Sequence, residues 1–107
     1  MPHDVDVNFN LGLALFHLQK NQKAITVLNK TIRLAPNHEQ AYYNLAALYQ
    51  NTRDYDKALA HYSKVIELNP NNANAYYNSG TIMRSKGDNV KANEYFEKAR
   101  SLGFKTN

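Results

Sequence analysis

Cysteine is absent from the 107 residues, and glycine and proline are scarce, with four and three copies. Without cysteine there is no disulfide, no zinc–thiolate site and no thiol nucleophile, which fits a reducing compartment. No glycine-rich run is available to cradle a phosphate. Long apolar stretches are missing too: the longest, Leu13 to Phe16 preceded by Leu11 and Gly12, is far too short to cross a bilayer. The start, Met1-Pro2-His3-Asp4-Val5-Asp6, is acidic and lacks the basic-then-apolar design of a secretory signal. A soluble, cytoplasmic protein that does not engage a membrane is the expectation.

Nor does one sign of charge dominate, although the formal net charge is +4. Residues 5–38 hold four Lys/Arg against one acid, 39–72 three against four, and 73–107 six against three. A neutral middle between basic ends makes no continuous stripe, so a surface that tracks phosphates is not expected. The four histidines, His3, His17, His38 and His61, have no metal-ligand spacing. His17 is expected at a groove edge and the other three in solvent. No nucleophile–base pair or carboxylate dyad emerges, and Asp54/Asp56 reads as helix capping; neither catalysis nor a cofactor is expected.

What the chain does have is a period. Ala41-Tyr42-Tyr43-Asn44 returns 34 positions later as Ala75-Tyr76-Tyr77-Asn78. Other rows align at the same shift: Asn10/Asn44/Asn78, Ala24/Ala58/Ala92, Lys30/Lys64/Lys98, Leu34/Leu68/Leu102 and Pro36/Pro70. Such a period marks stacked supersecondary units, none able to bury its apolar face alone. Apolar residues recur at helical spacing on either side of the polar turn Asn51-Thr52-Arg53-Asp54, so each unit reads as two helices. Proline cannot continue a helix, and Pro36 and Pro70 close the first two units. Helices are predicted near 5–18, 22–34, 39–51, 55–68, 73–86 and 89–102. Asp54 and Asp88 are expected to cap the second helices of their units.

These residues resemble three tetratricopeptide repeats, at 5–38, 39–72 and 73–106, within one domain spanning 1–107. The family signature is an aromatic, Leu-Gly and a second aromatic in the first helix, then Ala, an aromatic and Pro. The second unit offers Tyr42, Leu45, Ala46, Tyr49, Ala58, Tyr62 and Pro70; the first offers Leu11, Gly12, Leu15, Ala24, Leu28 and Pro36; the third offers Tyr76, Gly80, Met83, Ala92 and Phe96. Departures are Asn8 for the first aromatic, Ser79 for the leucine and Phe104 where a third proline would stand. The fold implied is all-α, a right-handed α-solenoid of three antiparallel helix pairs. Asn8, and Arg100 in place of Ile32 and Ile66, suggest that both ends present polar outer faces. The family's extra solvating helix has no counterpart, since only Gly103 to Asn107 remain. Ala92, Phe96, Ala99 and Leu102 are therefore expected to leave an apolar strip, covered by self-association or by a downstream segment.

In this family the first helices line a concave groove, which holds a protein or peptide partner. The mapped lining is the asparagine row Asn10, Asn44 and Asn78, the aromatic row Phe9, Tyr43 and Tyr77, and the rows Asp6/Gln40/Asn74, Leu13/Ala47/Thr81 and Phe16/Gln50/Arg84. Asparagine carries a donor and an acceptor and can pair with a peptide unit of an extended ligand. The row resembles the asparagine ladder in the groove of the O-GlcNAc transferase repeats. Alternatively, each amide satisfies neighbouring groups of its own protein, and each aromatic packs between first helices. A clamp for a C-terminal carboxylate, known in a variant of the family, is disfavoured because only Asn44 matches it. The function implied is a non-catalytic adaptor or scaffold that binds an extended peptide. A self-assembling structural protein comes second, and an RNA-binding helical repeat third.

Overall fold

The computed structural model describes residues 4–105. Six helices follow one another: α1 Val5–His17, α2 Asn21–Leu34, α3 Glu39–Asn51, α4 Tyr55–Leu68, α5 Ala73–Ser85 and α6 Asn89–Ser101. Each lies within one residue of the bounds expected from the period. They pair as α1/α2, α3/α4 and α5/α6, and the pairs stack in order through α2 on α3 and α4 on α5. The body is 45 Å long and about half as wide, 24 × 22 Å. His3 and the last two residues of the third repeat's expected surroundings, Thr106 and Asn107, lie outside the described residues.

The first helix of every pair has a side-chain cap. Asp4 Oδ1 accepts from the Asp6 and Val7 amides, His38 Nδ1 from Ala41, and Asn72 Oδ1 from Ala75. Among second helices, Asp88 caps α6 through the Lys91 amide. Asp54 does not cap α4; its carboxylate lies 3.9 Å from the Lys57 ammonium instead. Asp56 is likewise no cap, because it reaches Lys86 at the end of α5, 2.6 Å away, and ties the second repeat to the third. That ammonium, by hydrogen bond and by charge, holds the Asp56 carboxyl below the usual carboxylate range.

The turn inside each pair repeats with the same geometry. Gln19, Arg53 and Gly87 all have positive φ, at 60°, 63° and 86°. The next amide closes the loop onto the preceding helix: Lys20 to Leu15, Asp54 to Tyr49 and Asp88 to Met83. Left-handed backbone strains a residue with a Cβ, and only the third turn uses glycine. A Cβ at Gly87 would meet nothing within 4 Å, so its conformation alone is at stake. Gly87→Ala is expected to lower stability by about 1 kcal/mol. Arg53→Gly is expected to raise it by a few tenths, because glycine also gains freedom in the unfolded chain. Urea unfolding followed by circular dichroism checks both signs.

Small residues bring the helices of a pair together. A Cβ at Gly80 would stand 2.7 Å from Phe96 Cε1 and 3.1 Å from the Ala92 carbonyl oxygen; at Gly12 it would stand 2.7 Å from Leu28 Cδ2. Two buried clusters fill the joints between repeats. One joins Ala24 and Leu28 to Ala41, Leu45 and Leu48, and the other joins Ala46, Ala58, Tyr62 and Val65 to Ala75 and Ile82.

The C-terminal strip is not open. Ala92 and Ala99 are buried, Phe96 packs against Tyr77 with ring centroids 5.4 Å apart, and Phe104 stacks on Tyr77 at 4.2 Å. The strip faces α5, because these positions are the ones that second helices use within their own pair. The polar outer face expected at both ends is present only on α6. Asn8 is buried, its amide donating to the Asp4 carbonyl, whereas Val7, Leu11 and Leu18 of α1 are exposed.

Candidate binding groove

The first helices turn one face toward an open cavity of about 430 Å³, lined by Phe9, Leu13, Glu39, Gln40, Tyr43, Asn44, Asn72 and Asn74. Three repeats contribute. α1 gives Phe9 and Leu13 from positions four apart, α3 gives Glu39, Gln40, Tyr43 and Asn44, and the start of α5 gives Asn74 beside its cap Asn72. Phe9, Gln40, Tyr43, Asn44 and Asn74 thus stand around one cavity.

The remaining expected residues lie elsewhere or are already engaged. Asn10 is exposed on α1 outside this cavity, and Ala47 is half-buried on α3. Asn78 donates its amide to the Tyr43 hydroxyl at 2.8 Å, so one member of the asparagine row braces α3 against α5. Tyr77 lies between Phe96 and Phe104. Thr81 donates to the Tyr77 carbonyl, and Gln50 accepts from the Tyr62 hydroxyl at 2.8 Å. Arg84 is exposed and reaches over the Phe96 ring, 5.5 Å from its centre. Asn44 is different: among the described residues its side chain has no hydrogen-bond partner, and it stands in the cavity wall.

Tyr43 has two roles at once. Its ring meets Tyr62 edge-on at 5.5 Å while its other side lines the cavity. Burial pushes the Tyr43 hydroxyl above the ordinary tyrosine range, and the Asn78 amide pulls it back in part. Burial raises Tyr62 much further, with the neighbouring Tyr43 adding to the shift and Asn78 opposing it. Both hydroxyls stay protonated at neutral pH.

Two lining residues escaped the period argument. Glu39 accepts from Asn69 Nδ2 at 3.1 Å and Asn72 Nδ2 at 2.8 Å, so its carboxylate is fixed at the joint between the second and third repeats. Among the described residues it is the one charged side chain in the wall. Val5 and Ala73 stand at the same position in the other repeats, so no row could have singled it out. Asn72 was hidden in a turn of three asparagines. A second hollow of about 470 Å³ lies against Phe16, His17, Gln19, Asn21 and Asn51, with His17 at its rim.

His38 and His61 are not solvent histidines. His38 caps α3 and lies 4.5 Å from the Phe9 ring; His61 sits between Tyr42 and Tyr49, with Nδ1 2.8 Å from the Lys57 carbonyl. Among the described residues no three His, Asp or Glu side chains stand where they could share a metal ion. No helix there is long and apolar enough to cross a membrane.

Comparison with known proteins agrees with this architecture. Models of the tetratricopeptide repeat match residues 39–72 and 61–94, and a TPR repeat model matches 12–52. No curated protein matches in sequence. Among solved structures, the crystal structure of MamA superposes with a TM-score of 0.91 at 32% identity, covering 92% of this chain and 58% of that one. YrrB, a TPR protein with an unusual peptide-binding site, superposes with a TM-score of 0.87 at 28% identity, covering 94% of this chain and 52% of its own. The chain therefore spans between half and three-fifths of these relatives. Its period, its six paired helices and these matches make it a member of the tetratricopeptide repeat family.

Proposed function

We propose that this protein-interaction module works as a non-catalytic adaptor or scaffold, holding an extended segment of a partner protein in the groove of its first helices. The observation that carries the reading is Asn44. Among the described residues this polar side chain has no hydrogen-bond partner, and it shares a wall with Phe9, Leu13, Tyr43, Gln40 and Asn74. Its amide and carbonyl fit a passing peptide unit, the aromatic rings supply apolar contact, and Gln40 and Asn74 extend the polar surface along the segment. The peptide-binding site of YrrB supports this reading by likeness of fold.

The wall also states a preference. Glu39 is held in place by two amides, so a Lys or Arg of the segment is favoured beside it and an acid is disfavoured. Affinity for a short segment should be roughly micromolar, since ordering a flexible chain offsets much of the contact energy.

The test is a peptide-library screen followed by titration calorimetry on the best binders. Asn44→Ala is expected to weaken them about tenfold, the equivalent of one lost hydrogen bond. Selected segments should be basic, and added salt should weaken them. Asn93→Ala on α6 serves as the control and should change nothing. Equal affinity for wild type and Asn44→Ala would remove the groove from the account.

A further inference from the structure

The 34-residue period makes one comparison quantitative: the same helix position in three successive repeats. In α3, Ala41, Leu45 and Leu48 are 0%, 0% and 1% exposed because α2 lies across them. In α5, Ala75, Ser79 and Ile82 are 0%, 1% and 1% exposed under α4. The corresponding residues of α1 are Val7, Leu11 and Ala14. Val7 and Leu11 are 56% and 49% exposed, Ala14 is exposed, and Leu18, one turn on, is 65% exposed. These four lie at i, i+4, i+7 and i+11, on one face of α1. Beside them Leu11, Leu15 and Val27 line a shallow cleft of about 490 Å³ between α1 and α2, bordered by Gln22, Lys23 and Thr26. The chemistry that seats a helix in the interior joints is present here with no helix of the described residues upon it.

The opposite end of the stack does not match it. Where α4 presents Tyr55, Leu59 and Ile66 to the next repeat, α6 presents Asn89, Asn93 and Arg100, all exposed. A head-to-tail contact would press this polar face on the apolar stripe, burying its amides and the Arg100–Glu97 ion pair against side chains that offer them nothing. Two-fold pairing of like faces avoids that cost and closes on itself.

Charge selects the same pairing. The α1 stripe begins at the exposed acid Asp4 and ends beside the exposed bases Lys20 and Lys23. When two copies of α1 cross antiparallel about the point between Leu11 and Ala14, Val7 of one copy lies by Leu18 of the other and Leu11 by Ala14. Asp4 of each then approaches Lys20 and Lys23 of its mate, and the helix dipoles oppose. A parallel arrangement would set acid against acid and base against base.

We infer that the α1 face formed by Val7, Leu11, Ala14 and Leu18 joins two copies of this chain in an antiparallel, two-fold dimer. The groove is left open in it, because Phe9 and Leu13 stand on the opposite side of α1 from this face and Gln40, Tyr43, Asn44 and Asn74 lie on α3 and α5. One dimer thus presents two grooves, and a partner with two suitable segments gains avidity without any new contact.

Sedimentation velocity across a protein concentration series tests this. The mass of the wild-type chain is expected to climb from one copy to two and stop there. Leu11→Asp should remain monomeric throughout with unchanged helicity, and Lys20→Glu with Lys23→Glu should weaken the dimer severalfold. Asn93→Asp on the outer face of α6 should dimerise like wild type. A wild-type chain that stays monomeric at every concentration overturns the proposal, as does an association that Leu11→Asp leaves intact or that continues past two copies.

Discussion

Leu45→Asp is expected to unfold the protein, while Leu11→Asp, the same substitution one period earlier, is expected to change its monomer stability by less than about 0.5 kcal/mol. Leu45 is wholly buried in the joint between the first and second repeats, among Ala24, Leu28, Ala41 and Leu48. A carboxylate there has no counter-ion in that cluster and can survive only by taking a proton or by opening the joint. The cost is about 4 kcal/mol or more, which approaches the whole stability of a small domain. Leu11 occupies the identical position of α1 but faces outward, so its aspartate keeps its hydration. Chemical denaturation of the two variants side by side, at concentrations where the chain is monomeric, gives the contrast. Equal losses would mean that the α1 face is covered within one copy.

Tyr62→Ala should remove about 3–5 kcal/mol. Tyr62 is the largest fully buried side chain, set among Ala46, Ala58, Val65, Ala75 and Ile82 and thus shared by the second and third repeats. Its truncation opens a hole that neighbouring alanines cannot fill. Tyr62→Phe keeps the packing and loses the bond to Gln50, at a cost of about 1 kcal/mol. The same residue sets an alkaline limit. Its hydroxyl titrates above the ordinary tyrosine value in the fold, and so does that of Tyr43. The unfolded chain therefore loses these protons first. Their contribution is whole below pH 10 or so and declines as pH climbs from there toward the folded values. Tyr62→Phe should flatten that decline, and a decline of the same depth in the variant would exclude Tyr62 as its source.

Most of the fold was legible because it repeats. Pro36 and Pro70 mark helix ends twice, and the rows Ala24/Ala58/Ala92 and Gly12/Ala46/Gly80 mark close approaches three times, so the bounds fell within a residue. What the sequence hid is where a row breaks its own rule. Asn8 reads as a surface residue because it replaces an aromatic, yet it is buried, with its amide donating to the Asp4 carbonyl. Val7 and Leu11 are exposed although their counterparts Ala41 and Leu45 are buried, because no helix among the described residues crosses α1 as α2 crosses α3. Periodicity gives a residue's position in its own unit; its burial also depends on the neighbouring unit, and no unit precedes α1 among the described residues. The groove shows the same divide. Asn44 and Asn78 both follow Ala-Tyr-Tyr, but among the described residues only Asn78 bonds a tyrosine hydroxyl, that of Tyr43 in the preceding repeat, where the first repeat has Phe9. Glu39 owes its place to Asn69 and Asn72, some thirty residues on, in a turn whose counterpart in the first repeat carries Ala35 and His38 instead.

The most direct test of the groove is a nuclear magnetic resonance titration of the isotopically labelled chain with a basic peptide from the library screen. The side-chain amide signals of Asn44, Gln40 and Asn74 should shift together and saturate at one peptide per chain, with the backbone of α2, α4 and α6 little moved. Shifts confined to those second helices, with the Asn44 amide unmoved at saturation, would contradict the account.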